Sequence, residues 1–392
     1  MKFATRLLTF NPAPGDRHTP ANTPIYQTAT FRQSDATEFG EYDYSRSGNP
    51  TRAVVEKQIA TLESGTRGFC FSTGLAAITA VTRLLVPGDE ILACNDLYGG
   101  SYRLFSRILP KRGIEVRYVD FSDLDAVAAS VSDHTKLVYL ETPTNPLLQI
   151  IDIRAAADIA HRHGALLCVD NSTMSPYLQR PLELGADIVV HSATKFLCGH
   201  SDVMAGAVVV SDEELGQELY LIQNGEGAGL APFDSYLLLR GMKTLSLRLD
   251  RQQSNATTIA EWLDSHPAVD RVYFPGFADE EQLRIHRSQA SGDGAVLSFV
   301  TGDPELSRAV VELTKVFAIT VSFGSVNSTI SLPNYMSHAS IPASLRQLKS
   351  IPADLVRVSV GAEDVDDLLD DLGQAFEIAS RQNVALKVAA AD

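Results

Sequence analysis

The 392-residue chain is poor in cysteine: it holds only Cys70, Cys94, Cys168 and Cys198, and no two of them form a C-x-x-C pair. Their flanks read as apolar strands or a glycine loop, so buried thiols in a reducing compartment are expected, not a disulfide framework. The nine histidines show no H-E-x-x-H or similar spacing, which leaves no recognisable metal site. Positive charge is also scarce: 33 Lys and Arg against 48 Asp and Glu give a formal net charge of −15. An acidic surface repels phosphate backbones, so nucleic acid is excluded as an expected partner. No apolar run approaches the ~20 residues that span a bilayer. The apolar part of Met1–Phe10 is too short for a signal peptide. No membrane association and a cytoplasmic location are therefore expected. There is no internal repeat, and only the alanine-rich tail after Ala385 reads as frayed.

What is present is ordinary for a globular protein, with 45% hydrophobic and 21% charged residues. The length suits two or three domains of about 100–200 residues each. Residues 1–50, interrupted by Pro12, Pro14, Pro20, Pro24 and Pro50, build no core of their own and read as an extended arm. An arm needs another surface to lie on, which points to an oligomer. From residue 51 short apolar runs alternate with helical stretches: strands are expected at 68–71, 90–94, 114–119, 136–140, 165–169, 188–190 and 205–210. The runs are nearly continuous in apolar residues, so both sheet faces are expected to be covered, in a mostly parallel α/β arrangement. A long helical stretch, 232–263, leads to a smaller α+β unit with strands at 295–300 and 355–360 and helices at 305–313 and 365–378. The expected organisation is an arm over 1–50, a large domain over 51–245 and a small domain over 246–392. Ligands bind beyond the carboxyl ends of parallel strands, which directs attention to the loops after Phe71, Cys94, Leu140, Val169 and Val190.

Those loops hold chemistry. In Asp187-Ile-Val-Val-His-Ser-Ala-Thr-Lys195 an apolar strand runs into Ser192, Thr194 and Lys195. A lysine desolvated in a cleft has a lowered pKa, and its neutral amine attacks carbonyls. Ser192 and Thr194, two apart, face one way if the chain is extended, and two hydroxyls suit a phosphate. The plainer alternative is a surface lysine beside turn residues. Asp170 ends another buried strand, where a carboxylate can pair with a cationic ring nitrogen or simply cap a turn. Ser72-Thr-Gly74-Leu75 opens a helix whose free N–H groups suit phosphate, although many helices start this way. Tyr98, in Asp96-Leu-Tyr-Gly-Gly100, can stack on a ring or pack as a turn tyrosine. Tyr44 and Arg46 lie in the arm, able to donate to a phosphate or to stand solvated. Arg357, flanked by valines in a strand of the smaller unit, needs an anion: a substrate carboxylate or a structural partner.

These segments resemble the Cys/Met-metabolism enzymes that depend on pyridoxal phosphate (PLP), a family that includes cystathionine lyases, cystathionine γ-synthase and methionine γ-lyase. The matching stretches are Tyr44-Ser-Arg-Ser-Gly-Asn-Pro-Thr51, Ser72-Thr-Gly-Leu75, Leu97-Tyr-Gly-Gly100, Glu141-Thr-Pro-Thr-Asn-Pro146, Val169-Asp-Asn171, Ser192-Ala-Thr-Lys195 with the following Phe-Leu-Cys-Gly-His-Ser-Asp202, Leu239-Arg-Gly-Met-Lys-Thr-Leu245 and Arg357-Val-Ser-Val-Gly361. The resemblance implies an aminotransferase-like fold (fold type I) and a homotetramer built from two active dimers. It implies that Lys195 bonds to the cofactor's aldehyde and later moves protons, that Asp170 pairs with the ring nitrogen and that Tyr98 stacks on the ring. Gly74, Leu75, Ser192 and Thr194 would hold the phosphate. Tyr44 and Arg46 would reach the phosphate of the neighbouring subunit. Asn145 would lie by the ring oxygen, and Arg357 with Ser322 would bind the substrate carboxylate.

Within the family, residues 318–342, 223–234 and Asn171-Ser-Thr-Met-Ser-Pro176 are similar to the plant-type cystathionine β-lyase branch. That branch implies β-elimination of L-cystathionine, a small sulfur amino acid, to homocysteine, pyruvate and ammonia. γ-Elimination or γ-replacement is the alternative, followed by a PLP-binding regulator without turnover. Relatives acting at the γ-carbon often have Glu-Ser where this chain has Asn327-Ser328, and methionine γ-lyases carry Cys at the position of Gly100. Two departures stand out: Leu75 in place of a common Met, and Asn327 in place of the lysine expected in the plant enzyme.

Overall fold

The apolar runs form a seven-stranded sheet in the order β1-β7-β6-β5-β4-β2-β3. Its strands are β1 (Arg67–Phe71), β2 (Glu90–Cys94), β3 (Glu115–Val119), β4 (Thr135–Glu141), β5 (Leu166–Asp170), β6 (Ile188–His191) and β7 (Gly206–Val210). This is a computed structural model, and it describes residues 1–8, 19–336 and 351–389. The last residues of the 318–342 stretch thus lie outside the described residues. The pairs β2–β3, β2–β4, β4–β5 and β5–β6 are parallel, while β7 runs antiparallel to both β6 and β1. Every residue of β2, β6 and β7 is buried, as continuous apolar sequence requires when helices cover both faces. The edge strand β3 instead alternates with charge, and Arg117 bonds Glu90 at 2.7 Å on its neighbour.

The helices start where capping residues stand. Asn49 accepts from the N–H groups of Thr51 and Arg52 ahead of Pro50–Leu62, and Thr73 accepts from Ala76 ahead of Gly74–Thr82. Asp123, Asp152, Asp212, Asp279 and Asp303 cap five further helices in the same way. A second sheet of five strands has the order β10-β11-β12-β9-β8, from β8 (Arg271–Tyr273), β9 (Val296–Val300), β10 (Ala318–Ile319), β11 (Thr329–Ser331) and β12 (Val356–Ser359). Its pairings are antiparallel except β10–β11. Helices Leu245–Asp264, Pro304–Leu313 and Val365–Ala389 accompany it, and one buried cluster joins it to β7 and the Pro50–Leu62 helix.

Three local differences from the sequence expectation have physical causes. The 232–263 stretch is two helices, Pro232–Met242 and Leu245–Asp264, that meet at Lys243 and Thr244. There Gly241 presses on the turn after Lys195, and a Cβ on it would lie 2.1 Å from the carbonyl oxygen of Cys198. The arm is not irregular throughout, because Phe3–Leu8 forms a short helix whose Leu7 is buried and whose Leu7 carbonyl accepts from Gln58 Nε2 at 3.0 Å. The helical stretch between the runs at 90–94 and 114–119 is not one regular helix: it begins at Gly99 and passes through a wide turn at Leu104–Ile108 into a tight one at Leu109–Arg112, ended by Gly113 at φ 73°.

Candidate active site

The carboxyl ends of β4, β5 and β6 open into a cavity of about 420 Å³. Of the sequence-expected residues, Gly74, Leu75, Tyr98, Asn145, Asp170, Ser192, Thr194, Lys195, Ser322 and Arg357 all line it. They come from both sheets and from segments almost 300 positions apart in the chain (Gly74 to Arg357). Tyr44 and Arg46 are not among them. Arg46 sits instead against the end of helix Glu213–Glu226, donating to the backbone and side-chain oxygens of Asn224 at 2.7 and 3.0 Å, and its guanidinium covers the Tyr44 ring at 5.4 Å.

Lys195 is held by a turn, not by extended chain. β6 ends at His191, and the N–H of Lys195 returns to the carbonyl of Ser192 at 3.0 Å. Ser192 and Thr194 therefore do not face one way as alternate residues of an extended chain, since the chain has already left the strand. Both still border the cavity because the turn wraps it. The Thr194 hydroxyl exchanges hydrogen bonds with Ala205, accepting from its N–H at 2.9 Å. The Ser192 N–H donates to Ser172 Oγ at 2.6 Å.

Lys195 Nζ donates to the Ser322 hydroxyl and lies 5.1 Å from the centre of the Phe323 ring. Burial lowers its pKa to about 8, the nearby Arg357 charge adds to this, and Asp170 opposes it. The segment bearing Ser322 can come this close because of Gly324. At φ 88°, a Cβ on Gly324 would lie 2.7 Å from the nitrogen of Phe196. Ser322 itself holds φ 84°, a left-handed conformation uncommon for a residue with a side chain.

Arg357, in β12, is 2% exposed. It donates to Asn145 Oδ1 at 3.1 Å and to the Ser322 carbonyl at 2.7 Å, while its Nε has no hydrogen-bond partner among the described residues. No carboxylate among them forms an ion pair with it. Burial lowers its pKa to about 10, which leaves it a cation at neutral pH. A buried guanidinium without an acid is costly unless an anion completes the site. Asp170 ends β5 and accepts from Tyr139 Oη at 3.2 Å and from the Ser172 N–H at 3.0 Å. Tyr98 is 40% exposed, and its N–H donates to Glu141 at 2.9 Å. Its ring lies against Gly100, where a Cβ would come within 2.4 Å of it.

Several lining residues escaped the sequence reading. Arg103 brings a second guanidinium to the cavity, and Ser172, Thr173, Met204 and Phe323 are among its other lining residues. Ser172 and Phe323 are direct neighbours of motif residues, a signal available in principle. Arg103 follows Tyr98 on the short helix Gly99–Arg103, and only the placement of that helix reveals it.

Comparison with known proteins agrees with this geometry. The sequence profile described as Cys/Met metabolism PLP-dependent enzyme matches residues 4–377. The chain is 56% identical over 356 residues to a chloroplastic cystathionine β-lyase of Arabidopsis thaliana, covering 91% of this chain and 77% of that protein. It is 55% identical over 361 residues to the corresponding chloroplastic protein of Mimosa pudica, covering 92% and 79%. A crystal structure of cystathionine γ-lyase from Lactobacillus plantarum, complexed with L-serine, superposes with a TM-score of 0.94 at 45% identity, covering 96% of this chain and 99% of that one. With the profile spanning nearly the whole chain and these relatives sharing about half its residues, the chain belongs to the Cys/Met metabolism family of PLP-dependent enzymes.

Proposed function

We propose that the chain is a cystathionine β-lyase, converting L-cystathionine and one water to homocysteine, pyruvate and ammonia. The observation that carries this reading is the pairing of a buried, pKa-lowered amine, Lys195, with two guanidiniums on one cavity, in a chain 56% identical to a cystathionine β-lyase. Cystathionine carries an amino-acid group at each end. Arg357, buried beside Lys195, suits the carboxylate of the reacting end, and Arg103 suits that of the other.

The residues present fit PLP. Lys195 offers an amine to an aldehyde, and Asp170 at the end of β5 offers a carboxylate to a ring nitrogen. The N–H groups of Gly74 and Leu75 head a helix that faces Ser192. A Cβ on Gly74 would lie 2.8 Å from that of Ser192, so glycine keeps this cradle open. When bound, PLP supplies the electron sink for the charge left as the substrate's Cα–H bond breaks.

The protein's own groups do the rest. Arg357 grips the α-carboxylate and so sets which Cα bond faces the amine. Lys195 Nζ, partly neutral near pH 7 to 8, takes the Cα proton. As the Cβ–S bond breaks, the sulfur leaving group takes a proton from Lys195 or from the Tyr98 hydroxyl. The Ser322 hydroxyl, accepting from Nζ, keeps the amine aimed into the cavity.

The deciding experiment is product analysis on L-cystathionine. Pyruvate with homocysteine supports the β-lyase, and 2-oxobutyrate with cysteine replaces it with a γ-lyase. The second reading has its own support in the 45% identical γ-lyase structure. The proposal extends to a homotetramer in which Tyr44 and Arg46 serve a neighbouring subunit, supported by their position away from this chain's cavity. It also extends to a cytoplasmic location, supported by four buried cysteines, none in a disulfide. Native mass measurement tests the first, and fractionation of the source cells the second.

A further inference from the structure

Behind the cavity lies a buried polar cluster that the chemistry above does not use. Glu63, the residue that ends the helix Pro50–Leu62, is fully buried, and its Oε1 accepts from two side chains: His191 Nε2 at 2.6 Å and Asn171 Nδ2 at 2.8 Å. Asn171 directly follows Asp170, and His191 directly precedes Ser192. The β5–β6 ladder stops at Asp170 opposite Val190, with one more backbone bond from Asn171 N–H to the Val190 carbonyl at 3.0 Å. Beyond that point no backbone–backbone bond joins the two loop starts to each other, although His191 still pairs with Ala207 of β7; they are tied instead through side chains, by the Ser192 N–H to Ser172 Oγ bond on the cavity side and by Glu63 behind it. The cluster continues through Asn171 to Gln179, whose Nε2 donates to the Thr142 carbonyl at 3.0 Å, so the loop bearing Asn145 hangs from the same group.

A buried carboxylate carries a desolvation cost that apolar side chains of equal volume avoid. What it adds here is a fixed position for its two donors, each one residue from a cavity-lining group. We infer that Glu63 is a positioning residue: by joining Asn171 to His191 it sets, together with the Ser172–Ser192 bond, the separation of Asp170 from Ser192, and with it the seat of the cofactor between them. The inference rests on PLP lying between those two residues.

The test is titration of PLP into apo-protein, with the thermal midpoint of the apo-protein measured alongside. Glu63→Ala is expected to weaken PLP binding about tenfold to a hundredfold, the scale seen when groups that orient ligating side chains are removed. Glu63→Gln, which keeps an oxygen acceptor for both donors, is expected to restore most of that affinity. The pH at which the visible band of the loaded protein titrates is expected to move in Glu63→Ala, a signature that a brace of the fold alone would not shift. A folded Glu63→Ala with a lower midpoint but unaltered PLP affinity overturns the inference, and so does a folded Glu63→Gln as weak as Glu63→Ala. If Glu63→Ala does not fold, Asn171→Ser, which leaves the Glu63–His191 bond intact, decides by the same titration: weakened binding supports the role and unaltered binding overturns it. Ser192→Ala run in parallel separates the two levels. Unaltered affinity there removes the assumed seat of PLP and the inference with it. Weakened affinity there, with Glu63→Ala unaltered, removes the inference alone.

Discussion

The amine of Lys195 should capture aldehydes at neutral pH far faster than an ordinary lysine, with a pH profile that bends near 8. Burial and the Arg357 charge bring its pKa from 10.5 to about 8. At pH 7 the neutral fraction is then about one in ten, against about one in 3,000 at the reference value, a gain of about 300-fold in reactive amine. Between pH 7 and pH 9 the neutral fraction rises about tenfold and then levels off. Reductive methylation of the apo-protein with formaldehyde and a mild borohydride reads this directly. Peptide mass spectrometry follows Lys195 beside the exposed Lys111 over pH 6 to 10. The Lys195 rate should plateau above about pH 9, where about nine in ten of its amines are already neutral. A Lys195 rate that climbs tenfold per pH unit up to pH 10 would refute the claim that desolvation activates this amine. Because the profile's shape is read and not its height, limited access to the cavity does not confuse the result.

Replacing Arg357 by Gln removes a charge and up to two charge-assisted hydrogen bonds to a substrate carboxylate, each about 1.5–3 kcal/mol, so kcat/KM should fall by about two to four orders of magnitude. The same variant should raise the midpoint of the Lys195 profile, because Arg357 is one cause of its depression; an unchanged midpoint and kcat/KM would count against the site. Gly324→Ala places a Cβ against the Phe196 nitrogen at a left-handed φ, and should destabilise the protein by more than about 1 kcal/mol while disturbing Lys195 capture; equal urea midpoints and capture rates would show that the segment yields freely. Lys195→Ala should abolish the visible absorbance of the loaded protein and nearly all turnover, and full turnover would remove the reading outright.

Much of this was legible in the sequence because it rests on local pattern. The apolar runs ending in Phe71, Cys94, Leu140, Val169 and Val190 fall within β1, β2, β4, β5 and β6, and their loops hold the cavity. What stayed hidden depends on three-dimensional approach. Nothing in the string Gln-Asn-Gly-Glu marks Asn224 as the resting place of Arg46. The short helices at 124–130, 213–226 and 280–289 are capped by aspartates that read equally well as loop residues. The turn at Lys195 replaces an extended chain because its backbone bonds return to Ser192 and onward from Gly199 to Lys195, an exchange that no alternation of residues announces. Arg103 and Glu63 likewise look like ordinary helix charges until the sheet brings them beside the cavity or behind it.

Asp170 ends a strand of the seven-stranded sheet and Lys195 sits on the turn that follows another, while Arg357, in β12, and Ser322, between β10 and β11, approach from the side of the five-stranded one. The amine and the buried guanidinium of Arg357 are in this sense mounted on separate parts. Exchanging the 318–336 segment with that of a relative is thus a way to retune which amino acid is accepted while the cofactor-facing strands are left as they stand.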